Sequence, residues 1–497
     1  MTRGSFALVL HSHLPWLAHH GSWPVGEEWL YQAWAASYLP VLDVLDELAA
    51  EGRTDVLTLG ITPVLAAQLD DPHTLAGFAT WLGFWQARSE ELACERDPML
   101  RELGKYEFTA ATDALAAHQR RGALAPSFRR LADAGVLELL GGPATHPFQP
   151  LYPDEVVRAG LRIGRDDAML RWGRRPAGIW APECGYRPGL EATYAESGVT
   201  HFLVDGPTFR HVGADTCAGR TVGESGVVAF ARDLDVTYRV WSPRRGYPSD
   251  PYYRDFHTYH HGTGFRPARV TSVHTPSDQK APYDPAAVDA VVARDAADFV
   301  SVVTARLDQI SAQRGRPGLV VAAYDTELFG HWWHEGPAWL AAVLRALPEA
   351  GVEVTTLAGA QASGHVGAPI ELAAGSWGSG KDWRVWTGTP VADMVADNDR
   401  LVRTWQKLPA SRWDQRDPVA DQIAREALLA LSSDWAFMVT KDSAAQYARA
   451  RHDTHHRAFA RLADARLAGD ESACEAMLSE SRDRDGLFAH LDARTIW

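Results

Sequence analysis

Gly178-Ile179-Trp180-Ala181-Pro182-Glu183-Cys184-Gly185-Tyr186 is a short apolar run that stops abruptly at a proline and a glutamate. With Ala177 before it, the run up to Trp180 is too short for a helix and reads as a buried strand. Pro182 ends the ladder because it has no N–H to donate, and Gly185 permits a sharp turn. Glu183 is thereby a carboxylate at the C-terminal mouth of a strand, beside Trp180, Cys184 and Tyr186. In parallel α/β folds that mouth is where chemistry collects. A loop glutamate in an ion pair is the ordinary alternative, but a second acidic strand end, Tyr324-Asp325-Thr326-Glu327, lies far downstream. Two carboxylates at strand mouths among aromatic residues point to glycoside chemistry.

Outward from this strand the same signal recurs. Residues 6–10, 55–59 and 136–140 read as strands upstream, and 201–204, 227–230, 236–241, 319–323 and 352–357 downstream. Helical periodicity separates them, over 38–50, 154–171 and 285–306. Such alternation implies an α/β fold with a parallel sheet, most economically closed as a barrel. Residues 62–134 are helical throughout and read as an insertion. The segment with Trp23, Pro24, Gly26 and Trp29 reads as a loop. Residues 242–283 have little periodicity, and a loop of that length is usually functional. Beyond Gly375 helices dominate, over 393–407, 419–431 and 443–467. The expected division is a catalytic part at 1–370 and a helical part at 371–497.

Across its 497 residues the chain is 46% hydrophobic and 23% charged, an ordinary globular profile. Lys+Arg 49 against Asp+Glu 63 gives −14, which argues against nucleic acid or an anionic membrane as partner. The unusual count is 19 Trp, with 14 Tyr and 16 Phe; many of these must be core, but flat indole faces also stack on the C–H faces of sugars, so the count fits a carbohydrate cleft. Cys94, Cys184, Cys217 and Cys474 form no CxxC pair. The apolar run before His11 is too short for a signal peptide, and no run approaches the ~20 residues of a membrane span. A cytoplasmic protein with free thiols is expected.

His11-Ser12-His13 follows the first strand, and residues two apart point the same way. Two imidazoles there could ligate a metal or hydrogen-bond sugar hydroxyls. No HExxH or cysteine set accompanies them. Thr145-His146 repeats the arrangement after the third strand, where a core histidine is the plain alternative. Asp325 stands nearer its strand end than Glu327, which could instead cap or pair with His331. Trp377, Trp383 and Trp386 sit among glycines, and interdomain packing is the ordinary reading of each. Ser432-Ser433-Asp434 could turn a polar trio toward the sheet. Cys184 lacks an oriented partner for a nucleophile's role.

His11-Ser12-His13-Leu14-Pro15, the Gly141–Pro150 region with Thr145-His146, Trp180 to Tyr186, and Tyr324 to Trp333 resemble, in order, signature regions of glycoside hydrolase family 57. Ser433-Asp434-Trp435 resembles its fifth. Trp241-Ser242-Pro243 with Gly246 to Phe256 resembles the signature of the family's 1,4-α-glucan branching subgroup. The resemblance implies an incomplete seven-stranded (β/α) barrel, a helical insertion and a C-terminal helical domain. It implies a retaining mechanism without cofactor, Glu183 as nucleophile and Asp325 as general acid/base. Trp29, Trp241, Trp377 and Trp386 map onto cleft tryptophans, and His11, His13, His146, Trp180, Arg254 and Asp434 join them as candidate substrate-binding residues. Ser249 and Asp255 stand where the subgroup has Gly and Glu. Residues 207–226 correspond to a mobile loop bearing a catalytic tyrosine, yet the one tyrosine nearby, Tyr194, falls in the preceding helix.

The expected activity is cleavage of an α-1,4-glucan and transfer to a glucose 6-hydroxyl. A 4-α-glucanotransferase or amylase on the same fold is the nearest alternative. A metal-dependent polysaccharide deacetylase using His11, His13 and an acid, or an inactive glucan-binding protein, are alternatives of other classes.

Overall fold

The computed structural model describes residues 2–242, 245–408 and 415–496. Pro243 of the Trp241-Ser242-Pro243 motif lies outside the described residues. The strands are β1 (Gly4–Ser12), β2 (Leu57–Ile61), β3 (Leu137–Leu140), β4 (Gly178–Ile179), β5 (His201–Val204), β6 (Gly219–Val222), β7 (Val228–Ala231), β8 (Leu319–Asp325), β9 (Val352–Thr355) and β10 (Val366–Ile370). One sheet runs β3-β2-β1-β8, with β9 beside the first half of β1; the other runs β10-β6-β7-β5-β4. The Gly141–Ile179 bridge joins them at β3 and β4. At the opposite seam the Asp233 N–H donates to the Val321 carbonyl at 2.8 Å. The parallel strands β8-β1-β2-β3-β4-β5-β7 are thus neighbours in a ring.

β1 is buried on both faces, which is why it reads as a continuous apolar run. Phe6, Leu8 and Leu10 pack with Phe299 and Trp34 of the surrounding helices. Ala7 and Val9 face Leu140, Leu203, Phe230, Val321 and Ala323, side chains drawn from strands all round the ring. Period two then carries His11 and Asp325 onto that same inward face, just past the packed layers. Their register confirms the level, since His11 pairs with Asp325.

The helices carry local start signals. Asp71-Pro72, Asp97-Pro98 and Asp417-Pro418 open the helices Pro72–Ala93, Pro98–Arg121 and Pro418–Ala430. In each, the aspartate accepts from backbone N–H groups of the first turn, and proline gives up an N–H that has no partner there anyway. Each cap contributes about 1 kcal/mol. The first two of these helices pack against each other and form most of the expected insertion. The C-terminal helices Ala392–Trp405, Pro418–Ala430 and Ala445–Ala468 build a second core around Ile423, Leu428 and Leu462, which Trp16, Val64, Val156 and Ile163 join. No described helix is long and apolar enough to cross a membrane.

Three expectations differ. Residues 236–241 are not a strand; they fall in the helix Leu234–Val240, because Asp233 caps it and the buried Val236, Thr237 and Val240 follow helical spacing. β-branched composition hid that spacing. β6 and β10 have no strong apolar pattern and escaped the sequence reading, and β6–β7 is an antiparallel pair. Trp29 lies in the helix Glu27–Ala33, which continues through a π-helical turn, Trp34–Tyr38, into Leu39–Ala50.

Candidate active site

The ring opens onto a cavity of 2010 Å³, twice the volume of a large small-molecule pocket. Glu183, Asp325, His11, His13, His146, Asp434, Trp29, Trp241, Arg254 and Trp377 all line it.

Glu183 follows β4 with φ 60° and ψ 19°, a left-handed backbone that non-glycine residues rarely adopt. His146 shares this conformation at φ 59°. Two such residues in one site indicate that surrounding contacts hold the backbone there. The Glu183 carboxylate is gripped from both sides. Trp377 donates its indole N–H to Oε2 at 2.8 Å, and Ser433 donates its hydroxyl to Oε1 at 2.8 Å. Trp377 also donates its backbone N–H to the Glu183 carbonyl at 2.9 Å. Burial, with the Asp434 charge behind it, pushes the Glu183 carboxyl up to about 7 although both donors and His13 oppose this.

The histidines form a relay whose tautomers follow from its end. Ser433 gives its proton to Glu183, so its oxygen accepts from His146 Nδ1 at 3.0 Å. Burial and the neighbouring imidazoles keep His146 neutral, so its Nε2 is bare and accepts from His11 Nε2 at 3.2 Å. His11 Nδ1 is then a bare acceptor, and it is buried without a partner. His13 differs from the other two. Burial works against its proton, but Asp434, Glu183 and Glu327 outweigh it and raise its pKa. Its Nε2 lies 2.9 Å from Asp434 Oδ2 and its Nδ1 3.0 Å from Thr62 Oγ1.

Asp325 is pushed up to about 6 by burial, with Arg232 and His13 pulling the other way. Glu327, the other candidate acid, is spent structurally. Its Oε1 accepts from Tyr38 Oη at 2.5 Å and from the His13 N–H at 3.1 Å, and it does not pair with His331. Burial and the nearby Asp325 push it up to about 8, so it carries its proton at neutral pH.

Two candidates are not in the cavity. Trp180 is 1% exposed and stacks beneath His11 with ring centroids 4.2 Å apart. Trp386 is 1% exposed and stacks on Phe148 at 4.4 Å. Trp180 thus supports His11, and Trp386 belongs to a buried cluster with Phe148 and Val385 against which Trp377 packs. Arg254 reaches the wall, but its guanidinium is paired with Glu107 and donates to the Arg266 carbonyl at 2.9 Å, tying the 242–283 loop to the inserted helices. Trp241 is half exposed and stacks on Trp332. Cys184 is fully buried behind the site, and burial pushes its thiol well up.

Residues 207–226 do not form a loop over the site. They run from the helix Gly206–Arg210 into β6 and contribute nothing to the cavity lining. Tyr194 is buried, with its hydroxyl donating to Gln149 at 2.7 Å. Three other tyrosines do line the cavity: Tyr238, on the helix Leu234–Val240, Tyr259 and Tyr324. Arg232 also escaped the sequence reading. It follows β7 directly, pairs with Asp205 at 2.9 Å and lies 5.1 Å from the Trp377 ring. A charged residue immediately after a strand was the available signal.

Among the described residues, His13, His146 and Asp434 come close enough to share a cation, as do His20, His455 and Asp485. The first set differs from the expected His11, His13 and an acid. A metal there would have to displace the hydrogen bond between His13 Nε2 and Asp434 Oδ2, since ligands must be unprotonated. Exhaustive chelation is therefore expected to leave turnover unchanged. A stoichiometric metal in the purified protein, with activity lost on its removal, would reverse this.

Comparison with known proteins agrees with the site. The family model for glycosyl hydrolase family 57 matches residues 7–362, and that for the 1,4-alpha-glucan branching enzyme C-terminal region matches 394–496. A Mycobacterium tuberculosis protein named as a probable 1,4-alpha-glucan branching enzyme is 53% identical over 519 residues, spanning 99% of this chain and 98% of that protein. The crystal structure of a family 57-type branching enzyme from Pyrococcus horikoshii superposes with a TM-score of 0.92 at 32% identity, over 99% of this chain and 97% of that one. The α-amylase AmyC of Thermotoga maritima superposes at 0.87 with 28% identity, over 100% and 99%. With its family model spanning most of the chain and its carboxylates at the mouths of β4 and β8, this protein belongs to glycosyl hydrolase family 57.

Proposed function

We propose that this protein is a retaining 1,4-α-glucan branching enzyme. The observation that carries the reading is that Glu183 and Asp325 open onto one aromatic-walled cavity of 2010 Å³, with space for a donor and an acceptor chain together. Glu183 attacks C1 of the cleaved glucose as the C1–O4 bond breaks, and Asp325 gives its proton to the departing O4. The glycosyl ester on Glu183 is then attacked by a 6-hydroxyl, which surrenders its proton to Asp325 as the ester bond breaks. His11, His13, His146 and Asp434 hold sugar hydroxyls, while Trp29, Trp241 and Trp377 wall out water and stack on the chains.

Burial pushes both carboxyls up, Glu183 to about 7 and Asp325 to about 6, so both titrate near the neutral range in which one must act as acid and the other as nucleophile. In this reading residues 1–370 are the catalytic part, with its insertion at 62–134. Residues 371–497 complete the cleft by supplying Trp377, Ser433 and Asp434. The four unpaired cysteines suit a cytoplasmic protein without cofactor, and α-1,4-glucan is the partner.

An α-amylase-type hydrolase is the second reading, favoured by one observation: residues 207–226 are folded into the sheet and provide no aromatic cover. Incubation with amylose followed by a debranching enzyme separates the two. New short chains released only after debranching are expected. Reducing ends without new α-1,6-linked chains would establish hydrolysis instead.

A further inference from the structure

The cavity has a second aromatic wall that the chemistry above does not use. Trp81 and Trp85 lie one turn apart on the helix Pro72–Ala93, so they share a face. Both line the cavity, half buried, with centroids 5.4 Å apart and rings inclined by 50°. Each indole edge is tied to a carboxylate: Trp81 Nε1 donates to Glu28 Oε1 at 3.4 Å, and Trp85 Nε1 to Glu107 Oε2 at 3.0 Å. The polar edge of each ring is thus satisfied by the protein. What is left for a ligand is hydrocarbon surface, held in a fixed orientation. Across the cavity wall the helix Pro98–Arg121 presents Asp113 and Arg120, polar side chains without a hydrogen bond or ion pair to another described residue.

Two fixed indole faces beside uncommitted polar groups suit a ligand with apolar C–H faces and hydroxyl edges, which is the surface pattern of a pyranose chain. Tyr31 and Phe78 pack beside Trp81, and Leu92, Leu103 and Phe265 beside Trp85, and neither indole hydrogen-bonds Glu183 or Asp325. We infer that Trp81 and Trp85 form a remote ledge on the inserted helices that holds an extended α-1,4-glucan, so that the insertion selects long chains over short ones. The inference rests on the α-glucan reading of the main cleft.

The test compares the full-length wild type with Trp81→Ala/Trp85→Ala and Trp81→Phe/Trp85→Phe, measuring binding of maltotriose and of a maltooligosaccharide of a dozen or more units. The alanine pair is expected to lower the long-to-short affinity ratio about tenfold, the effect of losing one or two stacking contacts, and the phenylalanine pair to restore most of it. KM for amylose should rise with the same pattern while kcat changes less. An unchanged affinity ratio in the folded alanine pair would overturn the ledge. A wild type that binds no α-glucan of either length would instead overturn the reading of the main cleft, and the ledge with it. If the alanine pair does not fold, oxidative footprinting of the wild type decides: protection of both indoles by the long chain but not by maltotriose supports the ledge, and equal oxidation removes it.

Discussion

Glu183→Gly loses on the order of 10⁴-fold or more of its turnover, because without the nucleophile only binding and charge stabilisation remain. Glycine is the substitution of choice, since it accepts the φ of 60° at this position without strain and leaves a vacancy beside C1. Azide should enter that vacancy and restore turnover of an activated α-maltooligoside, forming a C–N bond as the leaving group departs. It attacks from the side that Glu183 occupied, so the product is the β-glycosyl azide. Asp325→Ala behaves oppositely. There Glu183 still forms its ester with the activated substrate, and azide opens it from the other face to give the α-glycosyl azide. An α-azide from Glu183→Gly, or no rescue in either variant, would remove Glu183 from the nucleophile's role and with it the retaining mechanism.

The second large effect is on pH. Trp377→Phe and Ser433→Ala each delete one of the two donors to the Glu183 carboxylate while leaving the side chain in place. Both donors favour the charged form, so losing either raises a carboxyl that burial has already pushed up to about 7. A hydrogen bond to a charged group contributes about 1.5–3 kcal/mol, and 1.36 kcal/mol is one pH unit, so the expected rise is about one to two units. The nucleophile must be ionised. The acidic limb of the kcat/KM profile therefore moves to higher pH, and activity near pH 6 falls about ten- to hundredfold, with recovery toward alkaline pH limited by loss of the Asp325 proton. Trp377→Phe keeps most of the aromatic wall and Ser433→Ala all of it. A uniform fall in activity at every pH would show that these residues shape the cleft rather than tune the nucleophile.

That prediction joins two parts of the chain. Ser433 begins the helix Ser433–Lys441, and its backbone N–H donates to the His146 carbonyl at 3.0 Å. Thr145 in turn donates its hydroxyl to the Leu428 carbonyl. The C-terminal helices therefore set the orientation of a carboxylate that belongs to β4, and the histidine relay from β1 ends on the same serine.

How much of this was legible beforehand follows physical lines. The strand mouths were legible because their signals are local: period two puts His11 and Asp325 on the inward face, and proline and glycine stop the strand at Glu183. The α/β alternation, the helical insertion and the late helices were legible for the same reason, with Asp-Pro pairs marking starts. Where composition and spacing conflicted, as in Leu234–Val240, β-branched residues concealed a capped helix and moved Tyr238 from a presumed strand to the cavity wall. Tertiary structure alone decided which tryptophans face the cleft. Trp180 and Trp377 look alike in sequence, each beside small residues, yet one lies under His11 and the other donates to Glu183. It also decided that Asp325 is free while Glu327 is held by Tyr38, and that Ser433 grips the nucleophile. These are contacts between segments separated by 194, 289 and 250 positions, so no window of sequence contains both partners. Strand and helix follow from neighbours along the chain, whereas burial and proton affinity follow from neighbours in space.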